Sequence, residues 1–210
     1  MPTVTGLETV ETRSGSVVRV FLDGRFAFSL DPVTVHQHAI AVGKVLSESE
    51  AAQLEQQSAL ERALSAAYRL LTYRPRSEGE IRSRLLQKGF DPATTEAALE
   101  KLRAQGLLDD LAFGRFWRES RQALSPRGEY LLRAELRHKG LSQETVSEVL
   151  ADFNEAESAL KVARVLRRRL GSLPPEERRR RLWGQLARRG FAPDTIQQVV
   201  RQVEREEDGQ

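Results

Sequence analysis

The sequence predicts a mainly α protein: an elongated tandem array of three-helix units, nine helices in all, preceded by a small strand-rich N-terminal region. Two observations carry that prediction. The phrase Leu-x-x-basic-Gly-apolar is written three times, in RLLQKGF (84–90), ELRHKGL (135–141) and QLARRGF (185–191), and its glycines, Gly89, Gly140 and Gly190, stand 51 and 50 residues apart. A fixed period of this size marks stacked supersecondary units. The first sixty residues follow another rule, an alternation of apolar and polar side chains with period two.

In chain order, SVVRVFL and RFAFSL flank Asp23-Gly24, a two-residue hairpin signal. TVTGLETVET, ahead of the turn residues Arg13-Ser14-Gly15, adds a third strand. Asp31-Pro32 reads as the N-cap and first residue of a short helix, and SESE (47–50) as a capping box that opens a longer one. The N-terminal region is then 1–58, and the units are 59–108, 109–153 and 154–210. Each unit has room for helices a, b and c. The first has LERALSAAYRLLTY (60–73), then SEGEIRSRLLQK (77–88) with Ser77 and Glu80 as a capping box, then DPATTEAALEKLRAQG (91–106) with Asp91 as N-cap and Pro92 at N1. DDLAFGRFWRESRQAL, SPRGEYLLRAELRHKG and SQETVSEVLADF follow in the second unit, and NEAESALKVARVLRRRLG, LPPEERRRRLWGQLARRG and APDTIQQVVRQVEREE in the third.

Alignment on the glycines sets the core. Ile81, Leu132 and Leu182 lie eight residues before, Leu85, Leu136 and Leu186 four before, and Leu99, Leu150 and Val200 ten after. Apolar positions at −8, −4, +1, +6 and +10 give two helices one buried stripe each, joined at a glycine in the left-handed conformation. Phe90, Phe113, Phe116, Trp117, Tyr130, Phe153 and Phe191 fall at helical core spacings and are expected to pack; Trp183, beside the RRRR run, fits that role least well.

The inventory argues against an enzyme. The three histidines are His36, His38 and His138, there is no cysteine, and no Gly-rich lysine loop is present, so the usual nucleophile, zinc and nucleotide-phosphate sites have no components. His36 and His38 are two apart, which on a helix points them to different faces. No catalytic, cofactor or metal residue is expected. With no apolar run of membrane-spanning length and no leader pattern, the expectation is a cytoplasmic protein that binds no membrane.

Charge supplies the functional signal. The net charge is only +3, but residues 161–189 hold 11 basic side chains against Glu176 and Glu177. Such a stretch invites an anionic partner. A helix-turn-helix reading of helices b and c fails because the second helix would enter the major groove, and SQETVSEVLADF has no basic residue. The cations cluster on helix b and at the end of the last helix a: Arg82, Arg84 and Lys88; Arg133, Arg137 and Lys139; Arg167 and Arg168; Arg179, Arg180, Arg188 and Arg189. These twelve are the candidate partner-binding residues. The cation before each glycine also has a local use, since a positive charge at a helix C-terminus stabilises it by about 0.3–1 kcal/mol.

YRPRSEGEIRSRLLQKGF (73–90), GLLDDLAFGRFWRESR (106–121), SPRGEYLLRAELRHKGLSQETV (125–146) and RRRRLWGQLARRGFAPDTI (178–196) together resemble, in order and separation, the motifs of the RecX family, regulators of the RecA recombinase. VRVFLDGRFAFSL is similar to that family's variable N-terminal region, while Gln185 and Gly128-Glu129-Tyr130 depart from its usual aromatic and basic residues. The resemblance implies a non-enzymatic monomer without cofactor that lies along the groove of the RecA filament on single-stranded DNA and bridges neighbouring subunits. It implies inhibition of filament extension, strand exchange and RecA-stimulated repressor cleavage. For naked DNA, the basic residues lead us to expect only weak, sequence-indifferent binding that collapses with salt through counterion release, to single strands and extending to duplex. The alternative is a DNA-binding protein, a sequence-tolerant single-strand binder or a repressor, acting through the arginines of the second and third units.

Overall fold

The computed structural model describes residues 1–12 and 15–208. Three strands, β1 (Val4–Thr12), β2 (Gly15–Leu22) and β3 (Arg25–Leu30), form an antiparallel meander in the order β1-β2-β3. Alternation buries Val18 and Val20 of β2 and Phe28 and Leu30 of β3 on one face, with Val20 opposite Phe28 in the register. Asp23 and Gly24, at φ 49° and 78°, make the hairpin turn as expected. The Arg13-Ser14 turn lies outside the described residues.

Helix α1 (Pro32–Gln37) starts at Asp31, whose carboxylate accepts from the Val33 and Thr34 backbone N–H groups. His36 and His38 are both exposed at its end. Ser47 and Glu50 form a complete capping box at the start of α2 (Glu48–Tyr73). The helix expected from that box and the one expected over 60–73 are a single helix of 26 residues. The reason is local: no Gly or Pro occurs between Glu48 and Tyr73, so nothing stops propagation. The boundary drawn between 58 and 59 therefore falls inside α2. There Ser58 is fully buried, its Oγ donating to the Ser29 carbonyl (2.6 Å) and accepting from the Ser29 N–H (3.3 Å), which satisfies β3.

Helices α3 (Glu78–Gln87), α4 (Pro92–Ala104), α5 (Asp110–Leu124), α6 (Glu129–His138), α7 (Gln143–Leu150), α8 (Glu155–Arg169), α9 (Pro175–Ala187) and α10 (Pro193–Asp208) complete the described chain. With α2 they supply the nine helices of three repeats, α3, α6 and α9 being helix b of each. The chain divides into two compact lobes, residues 1–76 with 81–108, and residues 77–80 with 109–210. In the first, a core of Val4, Val20, Phe28, Leu30, Ile40, Leu46 and Leu54 fills the space under the sheet, and Ile81, Leu85, Leu99 and Leu102 pack against Ala63 and Ala67 of α2. In the second, Leu132, Leu136, Leu141, Val146, Val149 and Leu150 close around Phe113, and a further core joins α8, α9 and α10 through Leu182, Leu186, Phe191, Ile196, Val199 and Val200.

The glycine-centred register holds across all three repeats. At +6, Thr95 takes the place of Val146 and Ile196 and is equally buried, and its Oγ1 has no hydrogen-bond partner among the described residues. Gly89, Gly140 and Gly190 end their helices at φ 87°, 89° and 79°. Two aromatic expectations are corrected: Phe116 and Tyr130 are 41% and 76% exposed. The buried stripe of α5 runs through Phe113 and Gly114, leaving Phe116 on its flank, and Tyr130, two residues from buried Leu132, points across the helix from it. Phe113 and Phe191 are buried, and Phe90, Trp117 and Phe153 pack half-buried against the cores.

The environments of two of these glycines separate strain from crowding. A Cβ at Gly89 meets nothing within 4 Å, whereas one at Gly140 falls 2.8 Å from the Cα of Gly79. Gly89→Ala is expected to cost only the left-handed strain, about 1–2 kcal/mol. Gly140→Ala adds a backbone collision and melts at a clearly lower temperature than Gly89→Ala; thermal denaturation of the pair checks this.

Candidate functional site

Helix b of each repeat buries only a narrow stripe, Ile81 and Leu85 in α3, Leu132 and Leu136 in α6, Leu182 and Leu186 in α9. The remaining positions face solvent or another helix, and they are mostly charged. Which of those charges are available depends on how one helix b meets the next.

In the second lobe, the start of α6 abuts the end of α9. The Gly128 N–H donates to the Arg189 carbonyl (2.9 Å), and a Cβ on Gly128 would overlap the Gly190 carbonyl. Glu155, the first residue of α8, accepts from the Glu129 N–H (2.9 Å) through one oxygen, and from Thr195 Oγ1 (2.8 Å) and the Ala192 N–H (3.3 Å) through the other. The residues 77–80 of this lobe, the first turn of α3, meet the end of α6 in a corresponding way. Ser77 Oγ donates to the Lys139 carbonyl (2.5 Å) and accepts from the Glu80 N–H (3.1 Å), one half of the capping box the sequence suggested. Asp110, the first residue of α5, accepts from the Glu78 N–H (2.8 Å). Each junction thus joins the carbonyl of the basic residue before a glycine to the start of the preceding helix b, and caps that start with the leading carboxylate of the next helix a.

This geometry sorts the twelve candidates. Lys139 is drawn into the junction: its Nζ lies 2.7 Å from Glu80 Oε1, with both side chains largely covered, and 4.7 Å from the Trp117 ring centroid. Trp117 Nε1 and Arg121 Nε both donate to Glu135 (2.9 and 2.7 Å), extending the network along α6. Arg82 grips Glu96 through two contacts (2.7 and 3.0 Å), Arg133 pairs with Glu129 (2.7 Å), and Arg179 grips Glu204 (2.9 and 3.0 Å). Arg84 donates to Gln87 (3.2 Å). Arg167 is half-buried. Arg189 is half-buried, its Nε without a partner among the described residues. Lys88, Arg137, Arg168, Arg180 and Arg188 are exposed, and among the described residues no carboxylate pairs with them. Arg180 and Arg188 lie on one line of α9 with Gly184 between them, and a Cβ at Gly184 would be 3.6 Å from the Arg188 guanidinium.

Paired carboxylates in this surface are held below their ordinary range, Glu206 first by the hydrogen bond from Arg164 and Asp152 first by that from Arg118. The sequence reading passed over Glu155, Asp110 and the Trp117–Glu135 contact. The position of Glu155 and Asp110 at the head of helix a was visible, but the helix each caps is contributed by another repeat. Among the described residues, no three or more His, Cys, Asp or Glu side chains are grouped to hold a metal, and no helix is long and apolar enough to cross a membrane.

Fold and surface together define a tandem three-helix-repeat protein with exposed cations on its middle helices. Family models describe the same three pieces as the RecX first three-helix domain over residues 63–102, the second over 109–150 and the third over 154–200. A regulatory protein RecX of Prosthecochloris aestuarii is 38% identical over 144 residues, 66% of this chain and 91% of its own. One from Bacillus velezensis is 28% identical over 211 residues, covering 99% of this chain and 80% of its own. A crystal structure of a regulatory protein RecX superposes with a TM-score of 0.69 at 25% identity, covering 95% of this chain and 98% of that one. RecX from Lactobacillus salivarius, at 17% identity and a TM-score of 0.62, shares the fold. The chain belongs to the RecX family of regulatory proteins.

The split between engaged and exposed cations is measurable. Lys139→Ala removes the largely covered contact with Glu80 and is expected to cost about 1.5–3 kcal/mol, whereas Lys88→Ala loses only the helix-end interaction and costs at most about 1 kcal/mol. Chemical denaturation of the two variants distinguishes them, although both residues occupy the same place before the repeat glycine.

Proposed function

We propose that this chain is a non-enzymatic negative regulator of the RecA recombinase that binds along the groove of the RecA filament on single-stranded DNA. In this reading it inhibits filament extension, strand exchange and RecA-stimulated repressor cleavage. The observation that carries the reading is the match of all three RecX three-helix domains in order along the chain. A helical filament presents one surface at regular intervals, and a row of similar repeats engages successive copies with a gain in effective concentration.

The contact falls on Lys88, Arg137, Arg168, Arg180 and Arg188. Each is exposed and without a carboxylate partner among the described residues, so meeting an acidic or phosphate-bearing groove displaces water and counterions and breaks no internal ion pair. Arg82, Arg133, Lys139 and Arg179 are already engaged, and recruiting them means giving up those pairs. Reversal of Arg137, Arg180 and Arg188 to Glu is expected to abolish inhibition of RecA-dependent strand exchange with little change in melting temperature. A control with the same charge change, Arg25, Arg62 and Arg69 to Glu in the first lobe, retains inhibition. Equal behaviour of the two sets removes any special role for these helices.

The exposure of Trp183, at 40%, and of Tyr130, at 76%, favours a second reading in which the same surface binds single-stranded DNA directly, since bases stack on exposed rings. Oligothymidylate titrated against the purified protein is then expected to quench tryptophan fluorescence. The log–log salt slope is about −0.7 per phosphate, near −3 if Arg137, Arg168, Arg180 and Arg188 each take one. Tight binding to one duplex sequence at physiological salt rejects this weak, sequence-indifferent mode in favour of a repressor.

A further inference from the structure

A groove of about 440 Å³ lies in the second lobe between the end of α5 and α8. Its apolar lining includes Leu124 and Val165, which are 84% and 41% exposed, and the buried Val162 and Leu166. The charged side chains along it are Lys161, Arg169 and Arg189, and no acidic residue lines it. Lys161 shares its charge with Glu157, four residues away, at 2.8 Å. Arg169 is exposed, with no carboxylate partner among the described residues. Arg189 Nε is buried without a hydrogen-bond partner among them.

Three facts narrow the occupant. A leucine this exposed at a helix end, beside a half-exposed valine, presents apolar surface that water solvates poorly. On the positive rim Arg169 and Arg189 have no carboxylate partner among the described residues, so the groups that would complement them are carboxylates or phosphates. No aromatic ring lines the groove, so it offers no platform for stacked bases, whereas its aliphatic floor fits an aliphatic side chain. We infer that this groove is a docking site for an acidic segment of a partner protein that presents an aliphatic side chain between carboxylates: the side chain packs on Leu124 and Val165, and the carboxylates meet Arg169 and Arg189. The inference deepens the functional reading by giving the chemistry of a protein contact separate from the exposed arginines of helix b, and it rests on that reading only for the partner's identity.

The test uses the full chain with labelled methyl groups, followed by NMR. The probes are a short synthetic peptide of repeated Asp-Glu-Leu, the same peptide with Gln in place of each acid, and oligothymidylate. The acidic peptide is expected to shift the Leu124 and Val165 methyl resonances saturably, and the Gln peptide to leave them in place. Leu124→Ser and Arg169→Glu, both at exposed positions and checked by circular dichroism, are each expected to weaken peptide binding about tenfold. Unmoved Leu124 and Val165 methyls overturn the inference, as does equal binding of the Gln peptide. Shifts at these methyls with oligothymidylate but not the acidic peptide assign the groove to nucleic acid and overturn it too. Strand-exchange assays in parallel keep the two proposals apart. Peptide binding by a protein that leaves RecA unaffected supports the groove and rejects RecA as the target. RecA inhibition by a protein whose groove ignores the peptide rejects the groove and supports the functional reading.

Discussion

The arrangement of the second lobe depends on one close approach, the start of α6 laid against the glycine-capped end of α9. A left-handed glycine turns the chain away after α9 and leaves the Arg189 carbonyl open to the Gly128 N–H. The absence of a side chain at Gly128 lets the two backbones touch. Glu155 then accepts from one backbone N–H on each side of the contact, those of Glu129 and Ala192. Buried backbone donors left unpaired are costly, so glycine, carbonyl and carboxylate act as one unit. The first turn of α3 uses the same three kinds of group against Gly140, Lys139 and Asp110.

That junction also decides what the basic residues do. The cation before each repeat glycine has a place in the helix dipole whatever surrounds it, but Lys139 is additionally held by Glu80 and Trp117, while Lys88 stays exposed. Equivalent positions in a repeat therefore take different roles, because each has a different neighbour. The same distinction runs through helix b. Arginines beside an acid on an adjacent helix, such as Arg82 with Glu96 and Arg179 with Glu204, spend their charge inside the fold. Those on the outer line of α9, Arg180 and Arg188, are exposed and have no carboxylate partner among the described residues. Exposed pairs of this kind contribute little to stability, so their main effect is on which cations stay unpaired at the surface.

Much of this was legible in the sequence because it is local or periodic. The Asp23-Gly24 turn, the Asp31, Ser47 and Asp91 caps and the apolar residues at −8, −4 and +10 depend on residues close in the chain, and all occur as read. The uninterrupted α2 was also written in the sequence, as a stretch free of Gly and Pro, but a unit boundary drawn between 58 and 59 divided into two helices what propagation makes one. Phe116 and Tyr130 were misjudged because an aromatic residue near a core register is not necessarily on the buried stripe, and two or three residues along a helix turn it to another face.

The sequence by itself determined the repeat, the helices with their caps, the buried stripes and the excess of positive charge, since each follows from spacing along one chain. Only the tertiary structure decided which of those charges remain available, which carboxylates cap helices of another repeat, and where Leu124 and Val165 are left in the open beside Arg169. These are contacts between residues tens of positions apart, such as Lys139 with Glu80 or Glu155 with Thr195, and the energy of a charge or an apolar group depends on what lies across the gap from it.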